Sequence, residues 1–351
     1  MTDPWHEPVH GELFPSELRG LSGIEQLRLL VSGKVAGPPI GELTGMRPTE
    51  VGVGTATFTM PITGWLLVPQ GMITGGVVAI LADGPLGCAI HTALPPATGY
   101  TTTELSINMV RPAPLEGQLI ARGRLVHASR QLGLTEVFVT DHDGRLIAHG
   151  TSRCAIFPPD PSIGPPPADI PVASRAADGW TPPYERPVIG TVLDEEIFQT
   201  RSGLEIMEQF IAGELPLPPS YHLFGQVPTA AEEGTCEFSM PAHGWLASPT
   251  GFVEGGVTAF LADCALGGAV QTTVPAGTAI APTDLRVQFL RPVPTDGSML
   301  TARATVVHRG RGLAAARAEV TNEAGKLVAL AGASALIQPG RPAVLRAPEI
   351  G

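Results

Sequence analysis

Basic residues are scarce in this chain. Of 351 residues, 22 are Lys or Arg against 33 Asp or Glu, for a net charge of −11, and the lysines are Lys34 and Lys326. The positive footprint of a nucleic-acid binder is therefore missing. Cysteine is also sparse. Cys88, Cys154, Cys236 and Cys264 form no CxxC and no Cys/His ligand spacing, which argues against a structural metal and against a disulfide framework. That usage fits a reducing, cytoplasmic setting. No apolar run reaches the length of a membrane span, and the opening MTDPWHEPVH has neither the basic nor the apolar region of a signal peptide. With 43% apolar and 16% charged residues the chain is not of disordered composition. Its 42 glycines and 36 prolines have no collagen-like period.

What is present is written twice. Shifted by 180, residues 60–83 (MPITGWLLVPQGMITGGVVAILAD) align with 240–263 (MPAHGWLASPTGFVEGGVTAFLAD). SGIEQLRLLVSG (22–33) aligns with SGLEIMEQFIAG (202–213), and TTTELSINMVRP (101–112) with APTDLRVQFLRP (281–292). Each copy has the size of a domain rather than of a solenoid repeat. The chain divides into a tail (1–19), a first domain (20–157), a Pro-rich spacer (158–190), a second domain (191–338) and a second tail (339–351). Ten prolines make the spacer semi-extended.

Within each copy, Ser22-x-x-Glu25 and Ser202-x-x-Glu205 are capping boxes that open a short amphipathic helix. A second helix is expected from Gly75-Gly76 and from Gly255-Gly256. It is apolar all round, hence buried. Pro85 is expected to kink or shorten the first version, where the second has Ala265. Alternating segments follow, with Gly or Asp-Gly between them, and predict an antiparallel meander of four or more strands. The fold class is α+β: in each copy one buried helix wrapped by an antiparallel sheet.

These segments resemble the hotdog-fold acyl-CoA thioesterases of the phenylacetate-degradation (PaaI-like) type. The residues that carry the likeness are Gly71-x-x-x-Gly75-Gly76 to Leu81-Ala82-Asp83, and Gly251-x-x-x-Gly255-Gly256 to Leu261-Ala262-Asp263, with the later T-x-L strands ending in Arg111-Pro112 and Arg291-Pro292. The resemblance implies a double hotdog with two sites between the copies, able to pair again into a homodimer of such chains. It implies hydrolysis of acyl-CoA to free acid and coenzyme A. No metal or other cofactor is called for, and no nucleic-acid or membrane partner.

The chemistry fits these residue types. Gly75 and Gly255 sit where unpaired helix N–H groups and the helix dipole can polarise a thioester carbonyl, with Gly76 and Gly256 allowing close approach. Asp83 and Asp263, about two turns on, are carboxylates in apolar helices and are expected to activate water or attack. The bland alternatives are a tight entry turn and a buried Asp capping an amide. In the family the Asp works with the Gly of the opposing unit, which implies Asp263 with Gly75 and Asp83 with Gly255.

The chain departs from the family pattern at several positions. Where His commonly precedes the glycines it has Thr74 and Glu254. The position of a helpful Asn falls on Val68 and Ser248. The hydroxyl that orients water maps to Thr102 in one copy and to Pro282 in the other. The sites therefore cannot be equivalent, and at most one is expected to be fully equipped. Glu254 near Asp83 would leave one proton on the pair. Arg130 and Arg311 are candidates for coenzyme A phosphates, with solvated turn arginines as the plainer reading. His127 and His308 read as structural strand residues, Trp65 and Trp245 as core, and Cys88 and Cys264 as small buried hydrophobes. Two competitors stand beside the thioesterase: a non-catalytic acyl-CoA or fatty-acyl binding module, and an enoyl-CoA hydratase. The hydratase is the poorer fit, because His91 follows Asp83 by eight residues and Gln271 replaces it in the second copy.

Overall fold

The computed structural model describes residues 2–170 and 179–344. In the first copy, α1 (Gly23–Val31) and α2 (Pro39–Thr44) lead into the hairpin β1 (Arg47–Gly52) and β2 (Thr55–Pro61). The long helix α3 (Gly75–His91) follows, then β3 (Tyr100–Met109), β4 (Gln118–Ala128), β5 (Leu132–Thr140) and β6 (Leu146–Ile156). The second copy repeats the order as α4 (Glu195–Thr200), α5 (Gly203–Ile211), α6 (Pro219–Phe224), β7 (Val227–Glu232), β8 (Thr235–Pro241), α7 (Gly255–Gln271), β9 (Thr278–Phe289), β10 (Met299–Arg309), β11 (Leu313–Asn322) and β12 (Leu327–Pro339).

Among the described residues the twelve strands form one antiparallel sheet in the order β1-β2-β4-β5-β6-β3-β9-β12-β11-β10-β8-β7. The seam is the β3–β9 pair, where Ser106 lies opposite Arg286, its counterpart in the repeat. The local twofold thus passes between these two residues. The sheet wraps α3 and α7, which pack side by side. One continuous apolar core serves both copies. Both capping boxes form: Glu25 accepts from Ser22 N–H at 2.9 Å and Glu205 from Ser202 N–H at 2.7 Å.

Pro85 does not shorten α3, which runs the same 17 residues as α7. The steric penalty on the residue before proline falls on a Cβ, and Gly84 has none. The turn is also held from outside, because an added Cβ on Gly123 of β4 would lie 2.4 Å from the Pro85 carbonyl oxygen.

The N-terminal segment is not a loose tail over its described residues, and the spacer is packed from 179 onward. Pro4-Trp5-His6-Glu7-Pro8-Val9 and Pro183-Tyr184-Glu185-Arg186-Pro187-Val188 are a further repeat, at a shift of 179. Each strap crosses to the other copy. Trp245 Nε1 donates to the Glu7 carbonyl at 3.1 Å, and Trp65 Nε1 to the Arg186 carbonyl at 3.0 Å. Further along, Phe14 N–H donates to the Pro249 carbonyl and Leu193 N–H to the Pro69 carbonyl. The two tryptophans are buried, and their indoles serve as anchors for the straps.

Candidate active site

The site is built where the start of each long helix meets the middle of the other. Gly76 packs so tightly on α7 that an added Cβ would lie 2.7 Å from Asp263 Cβ and 2.8 Å from Phe260 Cα. That closeness brings the Asp263 side chain to the N-terminus of α3. Asp263 Oδ2 accepts from Gly76 N–H at 2.9 Å. The mirror contact is Asp83 Oδ2 accepting from Gly256 N–H at 3.1 Å. Each aspartate of one copy thus meets the glycine pair of the other, with its well-formed bond to the second glycine. Asp83 and Asp263 are 7% and 6% exposed. Burial raises both pKa values, and hydrogen bonds to the ionised form oppose it.

The two sites differ in chemistry. Around Asp263, Gly75 N–H is the first of α3 and has no acceptor among the described residues. An added Cβ on Gly75 would make ordinary contact with Met109 Cγ at 3.8 Å and Leu285 Cβ at 3.9 Å and would clash with nothing. The Thr74 hydroxyl is buried beside Asp263 and lowers its pKa, although it makes no hydrogen bond of ordinary geometry. Pro282 stands in the place of Thr102 and lines the site without a donor.

Around Asp83 the groups are crowded. Thr102 Oγ1 donates to Asp83 Oδ1 at 3.4 Å, and Gly255 N–H adds to the hold on this carboxylate. An added Cβ on Gly255 would lie 2.7 Å from Asp83 Oδ2. Glu254 is buried against Asp83. Desolvation, then the Asp83 charge, pushes the Glu254 pKa well up. The pair therefore holds a proton, with Glu254 as donor and Asp83 as acceptor.

An apolar pocket opens onto Asp263. Its walls are Val68, Met72 and Thr74 from the first copy, and Phe198, Met207, Phe210, Tyr221, Phe238 and Ile280 from the second. The first copy thus supplies one wall and the second copy the carboxylate. Val68 takes the place of a polarising amide and is part of that wall. Ser248, its counterpart, turns its hydroxyl to Thr250 at 3.0 Å instead. Arg130 and Arg311 are exposed in the β4–β5 and β10–β11 turns and are not among the residues that line the pocket. His127 and His308 are exposed at matched bulges of β4 and β10. His91 ends α3 with Nε2 3.1 Å from Gln26 Oε1, its pKa lowered by burial to about 4.

Sequence reasoning missed the pocket walls from α4 and α5. The apolar stripe of α5 (Met207, Phe210) is visible in the sequence, but it reads equally well as core packing. The signal that separates the two is the local excess of aromatic residues over the first copy, where Leu18, Leu30 and Gly41 stand for Phe198, Phe210 and Tyr221.

Among the described residues no group of three or more His, Cys, Asp or Glu side chains could hold a metal, and no helix is long and apolar enough to cross a membrane. Comparison with known proteins gives the same picture as the fold. The family model for the thioesterase superfamily matches residues 70–148 and again 250–329. The acyl-CoA thioesterase II TesB2 of Mycobacterium marinum is 13% identical with a TM-score of 0.52, covering 86% of this chain and 98% of that one. The TesB protein of Mycobacterium avium subspecies paratuberculosis is 14% identical with a TM-score of 0.52, covering 91% and 100%. A curated protein of Halobacterium salinarum, named as a candidate esterase, is 35% identical over 99 residues. That match takes in 26% of this chain and 64% of the relative's length. The architecture is a double hotdog. The thioesterase-superfamily model is thus matched once in each copy of the repeat.

Proposed function

We propose that this protein hydrolyses acyl-CoA thioesters in the cytoplasm, at the Asp263 site. The observation that carries the reading is the Asp263 carboxylate, held 2.9 Å from Gly76 N–H beside the unpartnered Gly75 N–H, at the mouth of an apolar pocket. The thioester carbonyl oxygen accepts from Gly75 N–H, and the α3 dipole favours the negative charge that develops there. Asp263 either removes a proton from the attacking water or attacks the carbonyl carbon itself. Its raised pKa makes it a stronger base than a solvated carboxylate, while Gly76 N–H and Thr74 favour its ionised form. The tetrahedral intermediate then expels the coenzyme A thiolate, which takes up a proton from Asp263 on the water route; on the direct route a water hydrolyses the acyl–Asp263 anhydride and releases the free acid. Gly76, next to the donor, lets the helices close on the acyl group. Four unpaired thiols agree with a reducing compartment.

The assembly this reading carries is a homodimer of double-hotdog chains, and light scattering should give about twice 36.5 kDa. The activity is tested by free-thiol release from acyl-CoA substrates, with wild type beside Asp263→Asn. Wild type should turn over. The variant should lose about 10²–10⁴-fold in kcat. Retention of full activity by Asp263→Asn would exclude this role for the carboxylate. If wild type cleaves nothing yet binds acyl-CoA, the chain is a binding module.

A further inference from the structure

The space that lines the Asp263 pocket is filled at the matching place near Asp83, and the difference lies in three paired positions. Gly267 of α7 lines the pocket, and an added Cβ there would meet nothing within 4 Å. Its counterpart Gly87 of α3 faces an occupied space, since an added Cβ would lie 2.7 Å from Tyr100 Oη and 3.1 Å from Tyr100 Cε2. Tyr100 takes the place that Ile280 holds in the second copy. Its ring packs on Ile90, Leu94, Cys154 and Ile156, with the His91 ring 5.6 Å away. The phenol thus stands in the space that the shorter Ile280 leaves free. Beyond it, the His91–Gln26 contact occupies the place where Gln271 and Ile206 line the open pocket.

The open pocket is small. Its free volume is about 70 Å³. An apolar cavity of about 150 Å³ is what holds a benzene ring in a protein core. The space is thus too tight for an aryl group and too short for a long chain. It follows α7 from Asp263 past Gly267 to Gln271, about 12 Å at the rise of a helix. Gly267 lies half-way along.

We propose that the chain has one acyl pocket, at Asp263, that Tyr100 plugs its twin at Asp83, and that the open pocket selects short unbranched aliphatic acyl groups of acetyl to butyryl size, with Gly267 setting its depth. This rests on the thioesterase reading for the identity of the ligand, but the count of pockets is measured without turnover.

Titration calorimetry with S-butyl-coenzyme A, a thioether that cannot be hydrolysed, should give one site per chain in wild type and two in Tyr100→Ile. Two sites in wild type would overturn the proposal. In the thiol-release assay, kcat/KM for butyryl-CoA should exceed that for palmitoyl-CoA and benzoyl-CoA at least tenfold. A preference for either of the latter would overturn the assigned chain class. Gly267→Leu, which fills the pocket without touching Tyr100, should lower kcat/KM for butyryl-CoA at least tenfold more than for acetyl-CoA. Equal loss on both substrates would count against a depth-setting role. Binding of one thioether per chain with no thioester cleaved would refute the thioesterase reading and uphold the single pocket.

Discussion

Gly76→Ala is the perturbation whose size the structure defines best. The new methyl would lie 2.7 Å from Asp263 Cβ, 2.8 Å from Asp263 Oδ2 and 2.8 Å from Phe260 Cα. One of these neighbours is backbone, so a side-chain rotation cannot relieve the contact. The helices α3 and α7 must separate by most of an ångström to restore ordinary packing. The Gly76 N–H to Asp263 bond, 2.9 Å now, spans the same gap and would be stretched beyond hydrogen-bond range. Overpacking of this kind costs about 1–3 kcal/mol, and a hydrogen bond to a charged acceptor is worth about 1.5–3 kcal/mol. A loss of about 3 kcal/mol is expected by urea unfolding. The kinetic consequence is larger than the structural one, because displacing the carboxylate by about 1 Å costs on the order of 10² in kcat/KM. Gly267→Ala is the control for stability, since its Cβ enters open space. It should gain up to about 1 kcal/mol from helix propensity. If Gly76→Ala matched wild type in both unfolding and thioester cleavage, the close helix crossing could not be what positions Asp263.

Two further outcomes follow from the electrostatics. The folded state holds a proton on the Asp83–Glu254 pair that the unfolded chain releases near the ordinary Glu value of 4.5. Stability contributed in this way is present at low pH and falls as pH rises through the raised pKa. Each such proton gives a slope of about 1.4 kcal/mol per pH unit. Glu254→Gln should flatten that slope between pH 5 and 8 in urea midpoints, and an unchanged slope would place the proton elsewhere. His243, stacked on Trp5 at 5.5 Å, is held at a pKa of about 4, first by burial. Trp5→Ala should expose it and raise its pKa toward 6.5, read by imidazole NMR; no movement would mean that the N-terminal strap does not seal it.

Much of the fold is legible in the sequence because the same apolar helix and the same alternating segments are written twice. The capping boxes at Ser22 and Ser202 mark helix starts by local chemistry alone, and they form as read. Pro85 misled because its cost depends on the preceding residue and on packing from β4, and a motif scan weighs neither. The straps were missed because their repeat is six residues long and its shift is 179 rather than 180. Only their contacts with Trp65 and Trp245 give it meaning. At the site, the residue types were legible in the Gly-Gly and Leu-Ala-Asp segments. The choice of Gly76 and Gly256 as the bonded amides was not, since it depends on how closely two helices from distant parts of the chain approach. The aromatic walls of the pocket hid inside an amphipathic pattern that core packing explains equally well.

The central claim is that one working site is shared between the copies, with Asp263 from one and the glycine pair from the other. A double-mutant cycle on kcat/KM with Asp263→Asn, Gly76→Ala and the combination tests it most directly. If both residues serve one site, the double variant should be no more than about threefold worse than the weaker single variant, because the second change finds the machinery already broken. Losses that multiply in full would put Asp263 and Gly76 in independent roles and contradict the account.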